Sequence, residues 1–339
     1  MKEEKRKVQM TGGSTLIISL PISWTREAGI NQGDEVTLRL QEDKSILLTA
    51  KPKKKLGISR AIIKLFPDEK PEDILRLLIA HYLVGYDIIK LVSQEGFNTK
   101  DRKWIKDTVR QMLIGLEVVE ESGEELTLQS LLNYEELPLE KAIQRMSRII
   151  KSIQKDSIKA LQGDIALARD VIQRDSEVDR FYLLIVRQLK AALRDPELAN
   201  KIGIKRQRDC MGYRLIIKSM ERIADHAEKI ARDTIQIESL NSKLYGEICE
   251  VSELSQKVFD LSLESLSNRD IKAANRAIAE AQESSNLATI ISNRIFKTSL
   301  STKEQTYLRS ILESLRRIAE YGADIAEVVI NMGVKEPEV

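Results

Sequence analysis

Aromatic residues make up only 4% of this 339-residue sequence, while 31% of it is charged and 42% hydrophobic. So few rings argue against a β-sandwich and for helix-rich, bundle-like architecture. Cysteine is nearly absent. Cys210 and Cys249 fall on separate predicted helices with no CxxC, so no disulfide framework is expected and a cytoplasmic location is. The first ten residues, MKEEKRKVQM, contain no apolar core of a signal peptide. The most apolar long window, residues 75–92, is interrupted by Arg76, His81, Asp87 and Lys90, which excludes it as a membrane span. A glycine-rich phosphate loop, an HExxH pair and a Ser/His/Asp constellation are all missing, so an enzyme is not expected.

What is present begins with an uneven charge. Residues 1–55 hold 11 Lys/Arg against 7 Asp/Glu, a local +4; the whole chain is +2, so the remainder is −2. A basic head on a near-neutral body points to a polyanion partner at one end.

The second positive feature is a repeat. ERIADHAEKIA at 221–231 is echoed by RRIAEYGADIA at 316–326, 95 residues later. Ile216, Met220, Ile223, Ala227, Ile230 and Thr234 follow a 4,3 spacing, and Ile311, Leu315, Ile318, Gly322, Ile325 and Val329 keep it in register. That spacing draws one narrow apolar stripe along a bundle helix. The small residues Ala227 and Gly322 are placed for close helix approach, and the C-terminal half reads as one helical unit used twice.

Residues 1–52 read as short strands at 6–10, 15–20, 35–40 and 45–50, with a Gly12-Gly13-Ser14 turn, a short helix over 22–28 that Gly29 stops, and a turn at 42–44. So short a segment cannot close a large core alone and is expected to be an obligate oligomer. The Gly-Gly-Ser turn, Leu20-Pro21-x-x-Trp24 and Gly29-Ile30-x-x-Gly33-Asp34-x-Val36 resemble the AbrB/MazE family of swapped-hairpin DNA-binding domains. The resemblance implies a homodimeric barrel of two interleaved chains, with Lys5, Arg6, Lys7, Ser14 and Arg26 as DNA contacts; a head that only dimerises is the alternative. Lys51-Pro52-Lys53-Lys54-Lys55 reads as a solvated linker that can add phosphate contacts.

Residues 56–132 alternate strand and helix patterns: a strand at 59–66, a helix opening at Pro71, a strand at 86–92, a helix at 100–112 and a hairpin over 116–131. This is a small two-layer α+β domain whose role the sequence does not reveal. From Pro138 the pattern is helical throughout. Two tandem three-helix bundles are expected, over 138–238 and 239–333, with Gly163-Asp164 and Asn268/Asp270 marking equivalent breaks. The chain is thus expected to be multidomain and mainly α. Tandem bundles carrying E-R-I-A-D-H-A-x-x-I-A resemble the PhoU family of phosphate-uptake regulators, and a swapped-hairpin head fused to them resembles that family's archaeal arrangement.

PhoU-like proteins carry acidic E/D-x-x-x-D pairs associated with metal. Asp175-x-x-x-Asp179 and Glu221-x-x-x-Asp225 match, making these four the candidate ligands. Residues four apart share a helix face, and oxygen donors suit a hard divalent cation or iron. Asp175 and Asp179 fall on the stripe Ala168, Ile172, Tyr182, Val186, Leu189, where unpaired carboxylates cost several kcal/mol unless a cation or hydrogen-bond partner compensates. Lys218 or Arg222 is the competing source of that compensation. His226, one of two histidines, is more simply a helix-surface residue. In the second repeat Glu221 becomes Arg316 and Asp225 becomes Glu320, and the 106-residue offset that aligns Asp164 with Asp270 turns Asp175 into Ala281 and Asp179 into Ser285. A metal there is not expected.

Two functional readings stand at this point. One is a phosphate-homeostasis regulator whose head binds DNA; the other is an adaptor that docks on a phosphate transporter or its signalling partner and uses the head only to dimerise.

Overall fold

A computed structural model describes residues 3–40, 44–50, 58–66, 69–238 and 240–335. The 51–55 lysine run, Lys2 and most of the 42–44 turn lie outside them. The chain divides into two compact units, Met1–Ser59 and Arg60–Val339.

The first unit holds two separate antiparallel hairpins. β1 (Gln9–Thr11) pairs with β2 (Thr15–Ile17) across a turn in which Gly12 and Gly13 both take positive φ. Helix α1 (Ile22–Ala28) starts behind Pro21 and ends on Gly29, left-handed at φ 68°. β3 (Val36–Leu40) pairs with β4 (Ile46–Ala50). Strand pairing stops at Gln9, so Arg6–Val8, expected in a strand, lies in the chain ahead of β1 with no partner strand among the described residues. Of the described residues up to Ser59, Pro21 alone is buried. Leu16, Leu38, Leu40 and Ile46 are 66, 63, 73 and 67% exposed. Four strands rich in β-branched and aliphatic residues have thus formed without a core between them.

The second unit opens with a mixed sheet in the order β5-β6-β8-β7: β5 (Arg60–Leu65) runs parallel to β6 (Ile88–Ser93), and β8 (Glu125–Ser130) is antiparallel to both β6 and β7 (Leu116–Glu121). Helices α2 (Pro71–Val84) and α3 (Thr99–Met112) form the second layer. Ile89, Leu91, Leu126 and Leu128, alternating along β6 and β8, make the sheet's buried face, and they share a cluster with Leu78, Ile105 and Leu183. Leu183 is not part of this layer; it comes from a helix of the bundle beyond.

That helix is α5 (Ile165–Arg194), which follows α4 (Leu139–Lys159) and precedes α7 (Asp209–Thr234) in the first bundle. The second bundle is α8 (Ser242–Asn268), α9 (Ile271–Ile295) and α10 (Thr302–Gly333). Both expected seams are buried along their whole length on α7 and α10. The equivalent breaks carry equivalent caps: Asp164 accepts from Leu167 N–H, and Asp270 from Lys272 and Ala273 N–H. Between α5 and α7, where Asp195-Pro196 reads in the sequence as a helix break, lies a short helix, α6 (Pro196–Lys201). The same residues make both. Asp195 ends α5, then caps α6 by accepting from Glu197 and Leu198 N–H, and Pro196 is preset for a first turn.

Arg187, on α5, is 1% exposed. Its guanidinium donates to the Tyr134 hydroxyl (2.7 Å), the Tyr86 carbonyl (3.0 Å) and the Tyr82 carbonyl, and lies 4.8 Å from the Tyr82 ring centroid. Among the described residues no carboxylate pairs with it. Tyr82 and Tyr86 flank the C-terminus of α2, where carbonyls carry the negative end of the helix dipole. Arg187 therefore fastens the α+β layer to the first bundle.

Packing in the second bundle runs on small residues. Ala274, Ala277, Ala281, Ala319 and Ala326 cluster around Val258, and the Ser262 hydroxyl donates to the Gly322 carbonyl at 2.6 Å. A Cβ on Gly322 would stand 2.7 Å from Val258 Cγ1, whereas one on the exposed Gly246 of α8 would meet nothing within 4 Å. Two alanine substitutions should therefore act in opposite directions in urea unfolding. Gly246→Ala should stabilise by up to about 1 kcal/mol through helix propensity. Gly322→Ala should destabilise by about 1–3 kcal/mol, because the clash with Val258 outweighs that gain. A stabilising Gly322→Ala would contradict the close α8–α10 approach.

Candidate functional site

The fully buried line of α5 is Val171, Val178, Ile185 and Ala192, each 0% exposed. It runs beside the middle of the stripe read from the sequence, whose ends, Ala168, Val186 and Leu189, are buried too. Asp175 and Asp179 consequently sit on the flank of the core, half-buried, and not within it. On α7 the seam likewise leaves Glu221 half-buried and Asp225 exposed. Packing of α5 on α7 brings these flanks together. Asp179, Glu221 and Asp225 each offer a carboxylate oxygen within 4.8 Å of the others. Asp175, the fourth candidate, stands one turn away on α5, outside this triad.

The cluster is strained by its own charge. Burial, then the charges of Asp179, Asp225 and neighbouring glutamates, push Asp175 up to about 7. Burial and then Glu221 raise Asp179 to about 6, and burial, Glu221 and Asp179 raise Asp225 to about 6. Glu228 bears on all three, and the sequence reading had passed over it. The signal was there: Glu221, Asp225 and Glu228 continue the 4,3 spacing on one face of α7.

Of the two proposed internal cations, Lys218 is the one in place. Its Nζ donates to both Glu221 oxygens at 2.6 and 2.5 Å. Arg222 faces the other way, 5.4 Å from the Tyr321 ring on α10. His226 points to the same side: its ring is 5.8 Å from Tyr321, and burial and then the Arg317 charge hold its pKa below the ordinary value. It therefore belongs to the α7–α10 contact and not to the acidic cluster. Three carboxylate oxygens converging beside a fourth acid, with a single lysine on the rim, form a donor set suited to a hard cation.

The second bundle reverses the polarity. Lys218 and Glu221 become Glu313 and Arg316, so the i,i+3 ion pair persists with its signs exchanged. Arg316 also bonds Glu320, the counterpart of Asp225, and Arg317 bonds Glu313 and Glu320. The guanidinium occupies the place where a cation would sit.

In the head, Lys5, Arg6, Lys7, Ser14 and Arg26 are all exposed. The three basic residues lie ahead of β1, Ser14 closes the β1–β2 turn, and Arg26 sits in the last turn of α1. Arg6 is ion-paired with Glu4, so one candidate phosphate contact has an internal competitor.

Comparison with known proteins gives two family matches. The PhoU domain model matches residues 143–234 and 248–329, and the model for MazE, the antidote-toxin recognition antitoxin of bacteria, matches residues 9–56. None of the curated proteins compared matches the chain. Among solved structures, the phosphate transport system regulatory protein PhoU from Streptococcus pneumoniae aligns at TM-score 0.50 and 19% identity, covering 57% of this chain and 92% of its own. PhoU from Pseudomonas aeruginosa aligns at TM-score 0.50 and 21% identity, covering 59% of this chain and 97% of its own. At these identities the likeness is one of fold.

The raised carboxylates fix a pH dependence. Asp175, Asp179 and Asp225 bind protons more tightly folded than unfolded, between the ordinary value near 4 and about 6–7. Their contribution to metal-free stability must fall as pH rises through that window, and the loss is complete above about 7. Asp175→Asn should therefore be more stabilising relative to wild type at pH 7.5 than at pH 5 in urea unfolding with chelator present. An equal difference at the two pH values would show that Asp175 is not held in the acidic cluster.

Proposed function

The chain belongs to the PhoU family, and from this membership together with the geometry of its head we propose that it is a regulator of phosphate homeostasis, acting in the cytoplasm as a DNA-binding homodimer. The observation that carries this reading is the head: a segment matching the MazE antitoxin model, with basic residues ahead of its first strand and its apolar strand faces open to solvent. Exposed aliphatic strands in so short a unit call for a second copy to cover them. Pairing two copies doubles every basic residue, as suits a two-fold site on DNA. Regulation, and not catalysis, is the role that fits.

We propose that Asp179, Glu221 and Asp225, with Asp175 and Glu228 at the margin, hold a hard divalent cation or iron in the first bundle. Its charge would relieve the repulsion among the carboxylates, and Lys218 would have to share or yield Glu221. Among the described residues no helix is long and apolar enough to cross a membrane. A phosphate transporter component or its signalling partner is thus a partner to be docked against, by the bundles.

Three measurements test this reading. Deleting residues 1–50 should leave a helical protein of lower oligomeric state by light scattering; an unchanged mass would remove the head as the dimer interface. Asp179→Asn with Glu221→Gln should abolish metal measured by elemental analysis, while Arg316→Gln should not; wild-type protein that takes up no Mg²⁺, Mn²⁺ or iron would leave the cluster structural. Binding to DNA upstream of the protein's own gene and of phosphate-transporter genes should weaken by roughly two to four orders of magnitude between about 50 and 200 mM salt, if about four to eight phosphates are neutralised. Arg6→Glu with Lys7→Glu should abolish it with the helical circular dichroism intact. Binding no tighter than to random DNA would leave the adaptor reading in its place.

A further inference from the structure

The two bundles differ most where an open cavity of about 500 Å³ lies between α9 and α10. Aligned at 106 residues, the buried positions of α5 (Ala168, Val171, Val178, Ile185, Leu189) fall on buried positions of α9 (Ala274, Ala277, Ser284, Ile291, Ile295). The same register sets Tyr182 against Ala288. In the first bundle the Tyr182 ring fills the groove, with the Arg214 guanidinium 4.9 Å and the Lys218 ammonium 5.3 Å from its centroid. In the second, Ala288 stands at the tyrosine's position at the floor of the cavity, and the cation equivalent to Arg214 is kept as Arg309. A planar group and its cationic cover in one repeat have become a cavity and a cation in the other.

Arg309 is held in place but its charge is not matched. The guanidinium lies 3.9 Å from the Phe296 ring centroid, and Nε donates to the Ser292 hydroxyl at 3.2 Å. Among the described residues its two terminal nitrogens make no hydrogen bond, and no carboxylate pairs with it. Glu313 also lines the cavity, but Arg316 and Arg317 both hold it, and the Arg316 hydrogen bond keeps its pKa below the ordinary carboxylate value. Of the charged residues lining the cavity, Arg309 and Arg316 stand against Glu313, a surplus of one positive charge. Ser310, on the same wall, accepts from the Lys229 ammonium of α7 at 2.5 Å. The remaining lining includes Thr289, Asn293 and Thr306, which offer hydroxyl and amide groups.

We propose that this cavity of the second bundle binds a nucleotide-sized organic phosphate. The phosphate would be taken by the free edge of Arg309. The ring and sugar would occupy the space that Tyr182 fills in the first bundle, against the hydroxyl and amide groups. The volume falls in the range of small-molecule sites and far exceeds what inorganic phosphate needs. This site is separate from the acidic cluster and does not depend on the head binding DNA.

The test is isothermal titration of the full chain with AMP, GMP, adenosine and inorganic phosphate, each to about 1 mM, on wild type, Arg309→Gln and Ala288→Tyr. At least one nucleotide should bind wild type, and both variants should weaken it by about tenfold or more. Adenosine and inorganic phosphate should each bind at least about tenfold less tightly than that nucleotide. Circular dichroism checks that the variants fold, and Arg309→Gln decides the matter if Ala288→Tyr does not. The proposal is overturned if neither nucleotide binds, if adenosine or inorganic phosphate binds as well as the nucleotide, or if Arg309→Gln binds as wild type does.

Discussion

A single guanidinium, buried without a carboxylate, sets the frame for this molecule. Removing Arg187 from water costs several kcal/mol unless polar groups surround it. The structure supplies them from two carbonyls at the C-terminus of α2 and one tyrosine hydroxyl. None of these partners is on α5, so α5 can bury this residue only when the α+β layer is docked. The same helix gives Leu183 to the sheet's core and, about one turn earlier, Asp179 to the acidic cluster. One rigid rod thus ties three things together: the sheet, the bundle and the carboxylates. A mixed sheet of four short strands with two covering helices is a marginal unit by itself. Here it is completed by a face of a helix whose other face belongs to the bundle.

This sharing explains what could and could not be read from the chain. The helices were legible because each carries its own periodicity and its own stops: Gly163 and Asp164, Asp270, Pro21 and Gly29. The strands of the middle layer were legible from alternation and from Gly85 and the Ser122-Gly123 turn. Arg187 was not. In the sequence it is one more cation on a charged helix, and only its burial against the end of α2 distinguishes it. The acidic residues were found through the PhoU resemblance, whose E/D-x-x-x-D pairs they match, and they lie shallower than the apolar stripe implied. The stripe is buried at Ala168, Val186 and Leu189, but at Asp175 and Asp179 it runs beside the buried Val171 and Val178. Small rotations of that kind cannot be resolved from a pattern in which helix periodicity alone locates the core. Glu228 was missed because the motif stopped at Asp225, although the helix face does not.

The repeat has diverged by exchange of charge between α7 and α10 and by loss of it between α5 and α9, where Ala281 and Ser285 stand for Asp175 and Asp179. Lys218–Glu221 and Glu313–Arg316 are the same pair turned end for end. The exchange leaves the α7–α10 contact in place, with Arg222 and His226 both beside Tyr321 across it. The second bundle's core has meanwhile shifted to alanine, serine and Gly322, so its helices approach closely and have little slack.

The bare strands of the head have a consequence in time. A unit that cannot close on itself makes its own completion a second-order event. On the reading proposed above, halving the supply of chain quarters the rate at which finished heads appear, while the helical remainder folds at its own pace. Newly made molecules would pass through a stage in which the bundles are complete and the reading end is not. The lag between synthesis and action would then be set by how many copies are already present, so that a scarce regulator is not merely less abundant but disproportionately slow to arrive.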